Sequence, residues 1–270
     1  MNTHLLIIDP QQDFTNPKGS LFVPGADKDM ERLAVFINRN IKKIDDIHVT
    51  LDSHRLIDVA HPIFWINSNG EHPAPFTIIS VDDVENGTWT TTNPSWKQRG
   101  LDYVKGLADN ARYPLCIWPP HCLIAMTNRD GICGHSIDAS VSDALLKWQE
   151  ARFGVVDFCV KGSNIFTEHY SALKADVVDP SDPTTSINTD LLDVLQNADE
   201  IVISGEALSH CVRNSILDII DSFGDDKANK FTLLEDCCSN VPGFESLGDE
   251  FLKIGASKGM KIIKSTDYLS

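Results

Sequence analysis

The stretch EIVISGEALSHCVRNSILDII, residues 200–220, decides the fold. Residues 200–204 form a short apolar run, and beyond Gly205 the apolar residues recur at helical spacing through Ile220. A short buried strand that turns at once into a helix is the repeating unit of a parallel sheet covered on both faces. Comparable runs lie at residues 4–9, 46–51 (DIHVTL), 155–160 (VVDFCV), 231–235 (FTLLE) and 260–264 (MKIIK). Helical patterns fall at 27–43, 138–152, 189–197, 209–222 and 245–258. Right-handed crossovers between six such strands predict one α/β domain over residues 1–270: a three-layer α/β/α arrangement with a six-stranded, mainly parallel sheet.

One segment interrupts the alternation. Residues 67–117 are rich in Gly, Pro, Thr, Asn and aromatic side chains, and loops of that length are usually functional. We expect a lid-like insertion covering the active site, with a hairpin around Asn86-Gly87.

Composition narrows the function classes. Of 270 residues, 42% are apolar and spread along the chain, enough to bury a core. The formal charge of -16 repels phosphate backbones and anionic lipid, so neither nucleic acid nor membrane is expected as a partner. No apolar run reaches the length of a membrane span, and the first residues lack a signal-peptide pattern, so a cytoplasmic location is expected. Seven cysteines without a CxxC pair read as free thiols in a reducing compartment and give no structural zinc site. A small-molecule substrate is the partner expected; self-association is left open.

In open α/β sheets ligands bind beyond the carboxyl ends of the strands. Asp9 stands at such an end, Asp52 just past the second run, Lys161 just past the third, and Cys211 shortly after the fourth. Cys211 falls in the first turn of its helix, where the dipole and free N–H groups favour a thiolate, and a nearby ammonium would favour it further. Taken alone, a cysteine there packs more often as a small hydrophobe than it reacts. The joint placement of acid, ammonium and thiol is what points to a nucleophile with a proton carrier.

These segments resemble the isochorismatase-like cysteine hydrolases and, among them, the nicotinamidase (pyrazinamidase) subgroup. LLIIDPQQDF looks like the opening strand and acid motif, FCVKGSNIFTEHYSAL like the lysine motif, and GEALSHCVRNS like the nucleophile motif. The resemblance implies metal-dependent hydrolysis of nicotinamide to nicotinate and ammonia. Cys211 would attack the carboxamide to form a thioester, Asp9 would carry the proton to ammonia, and Lys161 would hold the charges in place. It also implies a cis peptide between Glu206 and Ala207, with the N–H groups of Ala207 and Cys211 as the oxyanion hole.

A metal constellation belongs to the same resemblance. TLDSHRLIDVAHPIFW and WPPHC contain Asp52, His54, His61 and His121. Carboxylate and imidazole suit zinc, iron or manganese, although most histidines bind nothing. The resemblance makes Asp52, His54 and His121 the core ligands of one divalent ion, adds His61 as a candidate, and assigns the ion to the substrate's pyridine nitrogen. Phe14 and Trp118 would sandwich the ring, or else are ordinary core.

The chain also departs from the pattern. Where the family turns through Gly-Thr-Pro-Gly it reads CLIAMTNRDGICGH, and Leu208-Ser209 replace the usual Thr-Asp before the nucleophile. His135 and His210 read as surface or packing residues that could instead line the pocket. The alternatives are a cysteine hydrolase of another small amide or an isochorismatase-like substrate, and a catalytically silent binding protein. Intact Asp9, Lys161 and Cys211 weigh against the last.

Overall fold

The computed structural model describes residues 1–110 and 113–268, so residues 111–112 of the 67–117 segment and the final two of the expected domain lie outside it. Along the chain run β1 (Thr3–Ile8), α1 (Ala26–Asn40), β2 (Asp46–Asp52), α2 (Lys97–Asn110), α3 (Ala139–Arg152), β3 (Asp157–Lys161), α4 (Thr189–Gln196), β4 (Glu200–Gly205), α5 (Arg213–Phe223), β5 (Phe231–Leu234), α6 (Glu245–Lys258) and β6 (Lys261–Ile263). The six strands form one sheet in the order β6-β5-β4-β1-β2-β3, and every neighbouring pair is parallel.

Period-two alternation along β1 builds the layers. Leu5 and Ile7 pack with Met30, Leu33 and Phe36 of α1 and Leu145 and Trp148 of α3. Leu6 and Ile8 pack on the other face with Leu191 of α4, Ile216 and Ile219 of α5 and Phe251 of α6. All four β1 side chains are fully buried, each contributing roughly 1.5–3 kcal/mol on removal from water. At the sheet's end, β3 leaves Phe158 and Val160 half exposed, the mark of an edge strand.

The winding places the site. From β1 the chain moves to β2 and β3 on one side, then returns to lay down β4, β5 and β6 on the other. The crevice where the order reverses, between β1 and β4, is where such sheets bind ligands. Gly205 closes β4 with φ +122°, and a Cβ there would stand 2.0 Å from Ile8 O, so only glycine lets the two strand ends approach.

The 67–117 segment is organised otherwise than the sequence suggests. Trp65–Ile66 pairs antiparallel with Thr90–Thr91, and Ile78–Ile79 with Leu115–Cys116. Asn86-Gly87 forms no hairpin: Ser80 caps the helix Val81–Glu85, Asn86 ends it, and Gly87 follows at φ +81°. Asn-Gly serves a helix end as readily as a hairpin. Phe64, Trp65, Val84, Tyr103 and Leu107 give the segment a small core of its own.

Candidate active site

Lys161, the last residue of β3, is buried, with its ammonium 2.9 Å from Asp9 Oδ2 and 3.1 Å from Asp52 Oδ1. It donates to the carbonyl of His169 at 2.8 Å and reaches the Cys211 sulfur at 3.6 Å. Gly162 follows at φ +78°, where a Cβ would come within 2.7 Å of Asp52 Oδ1. Asp9 is fully buried, takes a left-handed backbone (φ 43°), and both donates from its N–H to Thr50 Oγ1 and accepts from that hydroxyl. The three residues expected as a catalytic set therefore meet around one ammonium, drawn from three strand ends.

The charges determine what the set can do. Burial lifts the Asp9 carboxyl above its ordinary range, Lys161 opposes that rise and Asp52 adds to it. Burial resists ionisation of Asp52 as well, but His54 and Lys161 outweigh it and hold Asp52 well below the usual carboxylate range. The Cys211 thiol is pushed well up, first by burial and then by Asp9 and Asp52, against the pull of Lys161. Burial first, and then the two carboxylates, outweigh the neighbouring ammonium and favour the thiol over the thiolate. The helix differs too, since Leu208–Val212 form a wider π-type turn and α5 begins only at Arg213.

The Glu206–Ala207 peptide is cis, as the resemblance implies. His210 N–H and Val212 N–H both bond to Ala207 O. Outside the turn, the N–H groups of Ala207 and Cys211 take no backbone acceptor among the described residues.

Beside the triad, Asp52, His54 and His121 each bring a ligand atom into a set lying within 4.8 Å of one another. Their partners hold the rings in place. His54 Nδ1 lies 3.0 Å from Asp58 Oδ2, His121 Nδ1 lies 2.9 Å from Pro119 O, and His61 Nδ1 faces the carbonyls of Arg55 and Leu56 at 3.1 and 3.2 Å. His54 Nε2 also lies 3.1 Å from Asp52 Oδ2; burial resists a charge on His54, but Asp52, Glu168 and Asp58 outweigh it and hold its pKa well above the usual imidazole value. His61 Nε2 is buried without a hydrogen-bond partner among the described residues, and its ring lies 5.2 Å from His54 and 5.5 Å from His121. His61 thus stands next to the 4.8 Å set rather than in it. A carboxylate and imidazoles beside a bare, buried nitrogen form a ligand set that suits a divalent cation.

Between triad and cluster lies a pocket lined among others by Phe14, Trp118, His121, Cys211 and His210. Apolar and aromatic walls with a few convergent polar groups are the usual lining of a small-molecule site. Trp118 is fixed by donating from Nε1 to Tyr170 Oη at 2.8 Å, and Phe14 packs against His121 with ring centroids 5.5 Å apart. Of the two histidines left ambiguous, His210 lines the pocket, whereas His135 bonds to Ser53 at 2.7 Å. The 67–117 segment reaches the rim, with Phe76 against Trp118 and Tyr113 stacked on His210.

Three residues escaped the sequence reading. Glu168 is buried, lines the pocket and lies 3.5 Å from His54 Nε2. Asp58 orients His54, and Gln11 locks the Asp52 backbone by accepting from its N–H and donating to its carbonyl. Glu168 sits within the lysine motif already singled out, the one signal that could have found it.

No family model and no curated protein matches the chain. Solved structures do. A nicotinamidase/pyrazinamidase from Acinetobacter baumanii shares 20% identity at TM-score 0.64, over 99% of this chain and 98% of that one. The yeast nicotinamidase shares 16% at TM-score 0.64, over 97% and 99%. The pyrazinamidase of Pyrococcus horikoshii, solved in complex with zinc, shares 18% at TM-score 0.57, over 98% and 99%. Across nearly its whole length the chain has the fold of these enzymes, the isochorismatase-like fold anticipated from its motifs. Among the described residues no helix is long and apolar enough to cross a membrane.

Proposed function

We propose that the chain is an amide hydrolase of the nicotinamidase type, converting nicotinamide to nicotinate and ammonia. The observation that carries this reading is the Lys161 ammonium, in contact with the Asp9 carboxylate and with the sulfur of Cys211, which lines a pocket together with Asp52 and His121, His54 lying beside those two. The fold shared with nicotinamidases and pyrazinamidases supports it.

The chemistry follows from the resting thiol. Asp9 takes the Cys211 proton as the sulfur attacks the carboxamide carbon, and the N–H groups of Ala207 and Cys211 receive the charge developing on oxygen. Lys161 stays cationic throughout, because its two carboxylates outweigh burial and raise its affinity for the proton. Asp9 then passes the proton to the departing nitrogen, ammonia leaves, and water cleaves the thioester.

A divalent ion (zinc, iron or manganese) held by Asp52, His54 and His121, with His61 beside them, would supply an electrophile for an acceptor on the substrate ring. Phe14 and Trp118 hold the ring over Cys211 by contact, which is catalysis by positioning. The 67–117 segment is read as a cover that excludes water. Ammonia release from nicotinamide is the test. Loss of that release in Cys211→Ala and on chelation supports the reading, and no release from nicotinamide by the metal-loaded protein overturns it.

A further inference from the structure

We propose that His210, the residue before the nucleophile, selects substrates by donating a hydrogen bond to an acceptor on the ring that enters the pocket. The inference rests on the amide-hydrolase reading and names a substrate class within it.

The tautomer follows from Ser209. Its hydroxyl oxygen accepts from Val241 N–H at 3.1 Å and lies 2.9 Å from His210 Nδ1. Ser209 is fully buried, and a hydroxyl has one proton to give. His210 Nδ1 is the acceptor within its reach, so the ring proton sits on Nε2. Among the described residues Nε2 meets no hydrogen-bond partner, although the ring is 4% exposed and lines the pocket beside Cys211. An N–H in that position is available to a ligand.

The imidazole is held rigidly and kept neutral. Tyr113 stacks on it with ring centroids 5.5 Å apart and planes 18° from parallel. The Tyr113 hydroxyl is fixed in turn, accepting from Arg213 Nη1 and Asn214 Nδ2 at 3.1 Å each. Trp118 and Phe244 close the other sides in near-perpendicular contacts. Burial, with Arg213 nearby, lowers the His210 pKa to about 4, so the donor is unchanged at neutral pH. A buried donor that is fixed before binding favours the ring that pairs with it over the one that leaves it unpaired.

The class that fits is an aromatic carboxamide with two ring acceptors, one for the metal cluster and one for His210. Pyrazinecarboxamide has two ring nitrogens and nicotinamide one. The test compares kcat/KM for these two amides in the wild type, His210→Phe and His210→Gln. The diazine-to-pyridine ratio should fall about tenfold in His210→Phe, the worth of one hydrogen bond. It should recover in part in His210→Gln, which restores a neutral donor, and should hold constant between pH 5.5 and 8.5.

A ratio unchanged in His210→Phe, with both amides still hydrolysed, overturns the selection and leaves the hydrolase reading intact; the N–H then points at a ring face such as that of Phe244, 4.8 Å away. Equal losses for both amides in Phe and Gln variants also overturn it, as a packing role would give. If the wild type releases ammonia from neither amide, both readings fall together.

Discussion

The Lys161 ammonium stands 3.6 Å from the Cys211 sulfur, within reach of the atom proposed to attack, while balancing two buried carboxylates. Lys161→Met keeps the length of the side chain and removes the charge. Ammonia release should fall by at least about 10³-fold, chiefly in kcat, since proton transfer and charge placement are lost while the ring pocket is kept. Stability should drop as well, because breaking a buried pair costs about 3–5 kcal/mol. Steady-state kinetics and urea unfolding measure the two effects separately. A variant that retained a tenth of the activity would remove Lys161 from the proposed chemistry.

Asp58 provides a test of the metal cluster that leaves the cluster's own ligand atoms in place. Its carboxylate lies 3.0 Å from His54 Nδ1 and so turns Nε2 toward Asp52 and His121. Asp58→Asn weakens that hold and should lower zinc affinity about 10–100-fold. Competition with a chromogenic chelator measures it. His61→Ala decides the fourth position: an equal or larger loss makes His61 a ligand, and unchanged affinity makes it a neighbour.

How much of this was legible beforehand varies with how local the determinants are. β1 and β4 read directly because both faces of each strand are buried, so an unbroken apolar run is the signal. The third strand starts at Asp157 rather than 155, since Val155 is 83% exposed beside the sheet's edge and its apolar character says nothing about pairing. Within residues 67–117 the ladders are two residues long and depend on Trp65 and Leu107 packing in a tertiary core, so no period exists to find. Asp9, Lys161 and Cys211 could be named because each follows a readable strand. Glu168 follows none, and its place beside His54 arises only when the chain after β3 folds back.

A pH prediction comes from the opposite end of the sheet. His4 is 2% exposed, hydrogen-bonded through Nδ1 to His48 Nε2 at 3.0 Å, with Asp46 3.4 Å from its other nitrogen. Burial first, and then His48, lower its pKa, while Asp46 and Asp45 oppose. The unfolded chain therefore takes up a proton near pH 6.5 that the folded chain resists. This contribution to stability is complete above pH 6.5 and is lost as the pH falls below it. Urea midpoints should decline between pH 7.5 and 5.5 more steeply in the wild type than in His4→Gln. Parallel slopes would show that the folded protein binds the His4 proton as readily as the unfolded chain does.

Glu206 carries the reverse sign. Its carboxyl is fully buried against Asp29, accepts from Ser239 N–H at 3.1 Å, and is pushed well above the usual range first by burial and then by Asp29. The folded chain keeps a proton that the unfolded chain releases above about pH 4.5. This group's contribution to stability therefore declines as the pH rises past that value. Glu206→Gln keeps the size, can donate to Asp29, and titrates in neither state. Its urea midpoint relative to the wild type should rise between pH 5 and pH 8, because the variant lacks the proton release that favours unfolding. A Gln variant that lost stability against the wild type as the pH rose would mean that Glu206 is ionised in the fold, its charge compensated by Arg32 through Asp29.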